Sequence, residues 1–145
     1  MSGIILTPPR KWLTPKVYQL ESQLVADILM EFGAQPWIRI WRNNVGKAYG
    51  AGVVMAAIKS GSVESLQHQR PIKFGTPGET DTLGFIRLGS QRGRIVGIEC
   101  KIGNNKLNPD QVAWRSMFEN GGGLYILAYQ VLDCYLGFKA AGVLE

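Results

Sequence analysis

The sequence predicts an α/β fold: a central mixed β-sheet flanked by helices, in a single domain over residues 1–145. Three observations carry this. Apolar residues recur at three-to-four spacing over residues 15–32, the pattern of an amphipathic helix. Two strand-like runs, residues 82–88 and 94–102, are separated by Gly89-Ser90-Gln91-Arg92-Gly93, as in an antiparallel hairpin. A capped helical segment then leads into a further strand, residues 124–131, and strand–helix–strand succession closes as a right-handed parallel crossover.

Composition narrows the class. The chain has 145 residues, 46% hydrophobic and 19% charged, enough for one hydrophobic core. No apolar run reaches the length of a membrane span. Residues 4–6 are too short, and too close to Pro8-Pro9, for a signal peptide. Cys100 and Cys134 have no metal-ligand spacing and read as free thiols of a reducing compartment, which predicts a cytoplasmic protein. The net charge of +5 permits a polyanionic partner.

In chain order, residues 1–14 carry Pro8, Pro9 and scattered polar side chains, and predict an irregular, poorly ordered N-terminal arm. In residues 15–32 the apolar stripe is Val17, Leu20, Leu24, Val25, Ile28, Leu29 and Phe32, and Gly33 is a stop signal. At about 100° per residue, Glu21 falls near the middle of that stripe, flanked by Val25 and Ile28. A carboxylate there is costly unless paired or metal-bound. Two readings stay open: a ligand of a metal site, or an ion pair at the helix's exposed end.

Residues 37–42 alternate as a strand, with Ile38 and Ile40 on one face and Trp37, Arg39 and Trp41 on the other. A turn follows at residues 43–46. Arg42, Asn43 and Asn44 carry donors suited to phosphates, although turn chemistry beside a solvated arginine accounts for them equally well. Residues 47–71 are broken up by glycines and read as an insertion or flexible flap. The glycines at 46, 50 and 52 are no P-loop, because no Gly-Lys-Ser/Thr follows. His68 is the only histidine, which argues against a multi-histidine zinc site, and it reads as a loop residue.

The chemistry concentrates in Arg94-Ile95-Val96-Gly97-Ile98-Glu99-Cys100-Lys101. On a strand, Glu99 and Lys101 project to one face while Ile98 and Cys100 face the other. Asp81 opens the preceding strand, and antiparallel pairing brings it near Glu99. Two carboxylates beside a lysine suit a hard divalent cation and phosphate chemistry. A Glu-x-Lys triplet alone is also what a plain strand salt bridge looks like. Downstream, Asn108 is a helix N-cap, Pro109 takes the first helical position and Gln111 the third, and Gly121-Gly122-Gly123 ends the helix. Gln111 either completes the cap or, one loop beyond Lys101, reaches back toward the site. Residues 133–143 predict a short terminal helix.

The ordered set resembles the VRR-NUC family of the PD-(D/E)xK nuclease superfamily. Its parts are the helix carrying Glu21, Arg42-Asn43-Asn44 with Gly46, and Gly78 followed by Asp81-Thr82-Leu83-Gly84. Next come Ile98-Glu99-Cys100-Lys101, Leu107-Asn108-Pro109-Asp110-Gln111, and the glycines before a tyrosine-bearing strand. Together they cover most of the chain. The chain departs from the family in the spacing between Gly78 and Asp81, which makes Glu79 an alternative acid, and in the length of residues 47–71.

The resemblance implies a restriction-endonuclease-like core and a Mg²⁺- or Mn²⁺-dependent DNA endonuclease. It implies a stand-alone bacterial or phage protein of the Holliday-junction-resolvase type, acting as a homodimer on branched DNA, with no membrane or small-molecule partner. Asp81, Glu99, the Cys100 backbone carbonyl and Glu21 are the expected metal ligands. Lys101 and Gln111 complete the catalytic set. Arg42, Asn43, Asn44, Lys47, Arg87, Arg92, Arg94, Lys106 and Arg115 are the expected DNA contacts. The alternative is a catalytically silent nucleic-acid-binding module of the same fold.

Overall fold

The computed structural model describes residues 3–44 and 46–145, with the side chains of Lys47, Val63, Ser65 and Phe74 outside that description. Val45 in the expected turn, and Met1 and Ser2 of the arm, therefore lie outside the described residues. The chain divides into two compact units, one comprising Met1–Asn43 and Gly78–Glu145 and the other Asn44–Pro77. In chain order the elements are α1 (Glu21–Gly33), β1 (Ile38–Arg42), β2 (Gly46–Ala48), α2 (Ala51–Ser60), β3 (Ile72–Phe74), β4 (Thr82–Ile86), β5 (Ile95–Cys100), α3 (Pro109–Asn120), β6 (Leu124–Ala128) and α4 (Val131–Ala140).

The first unit is a mixed α/β layer structure. Its sheet has the order β1-β4-β5-β6. The pairs β1–β4 and β4–β5 are antiparallel and β5–β6 is parallel, as the hairpin loop and the crossover helix require. The inner face carries Ile38, Ile40, Ile86, Val96, Ile98 and Ile126, all buried. They pack with Leu24, Val25, Ile28 and Phe32 of α1 and Cys134 and Phe138 of α4 in one core. On the outer face α3 packs against β6, where the Phe118 and Tyr125 rings lie 6.4 Å apart. β5 is buried through most of its length, as expected of a central strand.

Several boundaries differ from the expectation, each for a local reason. The first helix starts at Glu21, not near residue 15, and Val17 and Leu20 are exposed. The Gln23 side chain accepts hydrogen bonds from the Gln19 and Leu20 backbone N–H groups, which holds these residues as the approach to the helix. Trp37 precedes β1 and does not share the exposed face of Arg39 and Trp41. Its ring is buried edge-on against Phe32 and Phe138. Cys100 and Cys134 are free and buried.

The N-terminal arm is also more than a loose terminus. Ile4 bridges Leu144, and Trp12, in a short 3-10 turn at Arg10–Trp12, stacks on Phe32 at 5.1 Å inside the core. Trp12→Ala is expected to cost about 3–5 kcal/mol, the usual range for a large-to-small change at a buried aromatic. Thermal unfolding measures it; a variant with unchanged Tm would mean the arm does not contribute to the core.

The second unit takes in residues 47–71, expected as an insertion or flexible flap, and contains regular structure. β2 and β3 pair antiparallel, with Gly46 opposite Phe74 and Ala48 opposite Ile72. Between them lie α2 and a 3-10 stretch, Val63–His68, which carries the exposed His68. α2 ends at Gly61, whose φ of 66° is a left-handed conformation that glycine adopts without strain. No helix among the described residues is long and apolar enough to cross a membrane.

Candidate active site

The hairpin register builds the centre of the site. Thr82 pairs with Ile98 across β4 and β5, so the next residue out on each strand, Asp81 and Glu99, meet on the outer face at one end of the sheet. The Cys100 backbone N–H donates to Asp81 Oδ2 at 2.8 Å, which fixes the aspartate against β5. Glu99 is 2% exposed. Its Oε1 accepts from Gln111 Nε2 at 2.5 Å and stands 3.5 Å from Lys101 Nζ. Its Oε2 is buried and has no hydrogen-bond partner.

Lys101 continues β5 one residue beyond its end, its N–H bonded to the Ala128 carbonyl of β6. That bond holds its buried ammonium between two acids, Glu99 and, at 3.9 Å, Glu21. Glu21 is the first residue of α1, which matches the reading of an ion pair at the helix end, and among the described residues it does not join Asp81 and Glu99 as a third metal-ligating side chain. It lies at a helix end, and its ion-pair partner is the lysine of the carboxylate pair. A carboxylate in the first turn is also favoured by the helix dipole.

Gln111 likewise performs both expected tasks. Its Oε1 accepts from the Asn108 N–H at 3.0 Å while Asn108 Oδ1 accepts from the Gln111 N–H, closing the helix cap. Its Nε2 then reaches Glu99. Gly78 makes this possible. Its φ is 86°, and a Cβ there would lie 2.2 Å from the Asp110 carbonyl oxygen, so only glycine lets the segment before Asp81 approach the start of α3. Gln111→Ala is expected to cost about 1–2 kcal/mol, because it opens the cap and leaves a buried Glu99 oxygen without a donor. Thermal unfolding reads this cost, and an unchanged Tm would show that the Gln111 contacts carry no stability.

Burial and charge act together on the two acids. Glu99 is pushed up to about 7, first by burial and then by the Asp81 charge. Burial also raises Asp81, against the Cys100 N–H bond that favours its charged form, and Glu21 adds to the rise. Two desolvated carboxylates, one with an oxygen lacking any partner, are poorly matched to protein contacts alone and fit a cation. All the donors are hard oxygens, which suits Mg²⁺ or Mn²⁺ more than zinc. The Cys100 N–H points at Asp81, and in a strand a residue's carbonyl leaves on the same edge as its N–H, so that carbonyl fits as a further ligand. Among the described residues no three His, Cys, Asp or Glu side chains form a group able to hold a metal ion. Two carboxylates and a main-chain oxygen could hold an ion only if it kept several waters, as Mg²⁺ does.

The remaining expected residues distribute unevenly. Glu79 is turned to Asn43, whose Nδ2 donates to it at 3.0 Å and to the Thr80 carbonyl at 3.2 Å. Asp81, not Glu79, is thus the acid beside Glu99, and Asn43 buttresses the acid-bearing segment with the amide expected to contact phosphate. Arg42 is exposed, and its charge acts on Asp81. Asn44 begins the second unit. Lys106 is exposed on the loop that follows Lys101.

Arg92 and Arg94 lie in the loop joining β4 to β5, at the opposite end of those strands from Asp81 and Glu99. Arg94 is occupied there by the Gly122 carbonyl and Gln91 Oε1, at 2.9 and 2.7 Å, so it is a loop brace rather than a free phosphate contact. Arg115 pairs with Glu119 one helical turn on and lies over the Tyr125 ring.

Two neighbours of the site were not singled out from the sequence. Thr80 is fully buried and its hydroxyl donates to the Thr82 carbonyl at 2.7 Å, shaping the bend before β4. Tyr125 stands opposite Gly97, on the face of Glu99, with its hydroxyl buried and unpartnered. Burial and then the Glu99 charge raise that hydroxyl above the usual tyrosine range. The period-two parity of β6 against β5 is the sequence signal that would have found Tyr125.

The chain matches no model of a known protein family and no characterised protein.

Proposed function

We propose that the protein is a metal-dependent DNA endonuclease of the PD-(D/E)xK type, with a restriction-endonuclease-like core resembling that of stand-alone VRR-NUC proteins. The observation that carries this reading is the pairing of Asp81 with Glu99 beside Lys101, with Glu99 Oε2 buried and lacking any protein partner. A plain strand salt bridge between Glu99 and Lys101 needs neither Asp81 nor an orphaned carboxylate oxygen.

A divalent ion, when bound, supplies Lewis acidity at the scissile phosphate and lowers the pKa of water. The chain's own groups do the rest. Asp81 and Glu99 would hold the ion, with the Cys100 carbonyl as a further oxygen. The Cys100 N–H keeps Asp81 in place, and Gln111 orients Glu99 through Oε1, leaving Oε2 for the ion. The Lys101 ammonium, 3.5 Å from Glu99 Oε1, would orient the attacking water and stabilise negative charge growing on the phosphoryl oxygens. Glu21 holds that ammonium from the other side. Arg42 and Lys106, exposed at this end of the sheet, are the nearest candidates for backbone phosphates, and binding through them weakens as salt rises.

Junction cleavage calls for two cuts related by a two-fold axis, so a homodimer is part of the proposal. The test is incubation of labelled four-way junction, flap, nicked and linear DNA with Mg²⁺, with Mn²⁺ and with EDTA, alongside light scattering for the dimer. Cutting with either metal and none with EDTA is the expected result. Binding without cutting under every condition would instead support the catalytically silent module.

A further inference from the structure

Within the first unit, α3 packs on the outer face of the sheet over β6. On the β1–β4 part of that face stand two exposed aromatic rings. Trp41 is 45% exposed and Phe85 41% exposed. Their ring centroids are 6.2 Å apart at an interplanar angle of 65°. Phe85 pairs with Arg39 on one side and Ile95 on the other, and Trp41 pairs with Leu83. By strand parity these residues share the face of Asp81 and Glu99. Phe85 lies four residues along the strand from Asp81, about 13 Å. Beyond it a cleft of about 360 Å³ is lined by Phe85, Arg87 and Arg92, with no acidic side chain in its walls.

We infer that this face binds a single-stranded nucleic-acid segment, with Trp41 and Phe85 stacking on unpaired bases and Arg39, Arg87 and Arg92 taking the phosphates. The inference rests on the nuclease reading for its link to the carboxylates, and it adds that the substrate carries unpaired bases next to the cut. Aromatic rings stack on any base, and arginines beside them neutralise the backbone without reading sequence. Charge argues against a second copy of the chain on this face. A two-fold contact would bring the same three arginines against themselves with no acid on the patch to meet them.

The test is the affinity of the whole protein for a fluorescently labelled oligothymidylate, measured by anisotropy in EDTA so that binding is read without cutting. Trp41→Ala and Phe85→Ala are each expected to weaken it about tenfold, with Trp41→Tyr close to wild type and blunt duplex binding unchanged. Both rings are exposed, so the variants should fold, and circular dichroism verifies this. No binding by the wild type, alanine variants that bind normally, or equal losses on single strand and duplex would each overturn the inference. So would a dimer that Trp41→Ala splits in light scattering, because the face would then be an interface between copies. Cutting assays on the same proteins separate the two readings. A protein that binds oligothymidylate through Trp41 but cuts nothing refutes the nuclease and keeps the surface. One that cuts normally with Trp41 irrelevant to binding refutes only the surface.

Discussion

Asp81→Asn is expected to slow Mg²⁺-dependent DNA cleavage by more than about 10³-fold, while Glu79→Gln slows it by less than about tenfold. The contrast follows from where the two acids point. Asp81 stands against β5 beside Glu99, held by the Cys100 N–H. Glu79 is paired with Asn43. An asparagine at 81 keeps the acceptor for Cys100, so the fold should survive, but it removes half of the negative charge that a divalent ion needs. Loss of about 4 kcal/mol of transition-state stabilisation corresponds to the expected factor. A glutamine at 79 still accepts from Asn43. Single-turnover rates on one labelled junction decide the matter. The reverse ranking would move the metal-binding acid to Glu79.

Glu99→Gln should abolish cleavage to a similar degree and yet make the metal-free protein more stable above pH 7. The ordinary value for a glutamate is 4.5, and in the folded protein Glu99 rises to about 7. A carboxyl raised on folding favours the folded state while it is protonated. Its contribution is complete below 4.5 and is lost as pH climbs through 7. Asp81 shifts in the same direction, so the pair acts with one sign. The loss for Glu99 is about 3 kcal/mol at alkaline pH. Glutamine cannot ionise, retains the hydrogen bond from Gln111 and escapes that loss. Lys101 forfeits one partner and keeps Glu21, which trims the gain. Thermal unfolding in EDTA at pH 5 and pH 8 reads the effect: the variant should be the more stable protein at pH 8 and lose that advantage at pH 5. A variant less stable than wild type at pH 8 would show that Glu99 is well satisfied by Lys101 without metal.

The parts of the site that were legible in the sequence are those set by short-range geometry. A five-residue loop between two strands, with side chains alternating at period two, is enough to bring Asp81 to Glu99 and to put Lys101 beside it. The cap at Asn108 is equally local. The parts that were not legible depend on partners remote in the chain. The Gln111 contact with Glu99 needs Gly78 to approach the backbone of Asp110. Trp12 follows two prolines and looks like loop, but its place in the core comes from Phe32 and Tyr135. Val17 and Leu20 extend the helical period of α1 by coincidence, while Lys16 is tied by its N–H to Gln130, over a hundred residues away. Arg94 looks like any exposed cation until the Gly122 carbonyl and Gln91 are seen to occupy it.

The nuclease reading depends on the Asp81–Glu99 pair holding a divalent ion. Calorimetric titration of the metal-free protein with Mn²⁺ at pH 8, without DNA, tests that most directly. Wild type should bind Mn²⁺ saturably, and Asp81→Asn and Glu99→Gln should each remove the binding while remaining folded. If wild type takes up no Mn²⁺, or if both variants bind it as wild type does, the pair is an ion-pair network around Lys101 and the nuclease assignment fails with it.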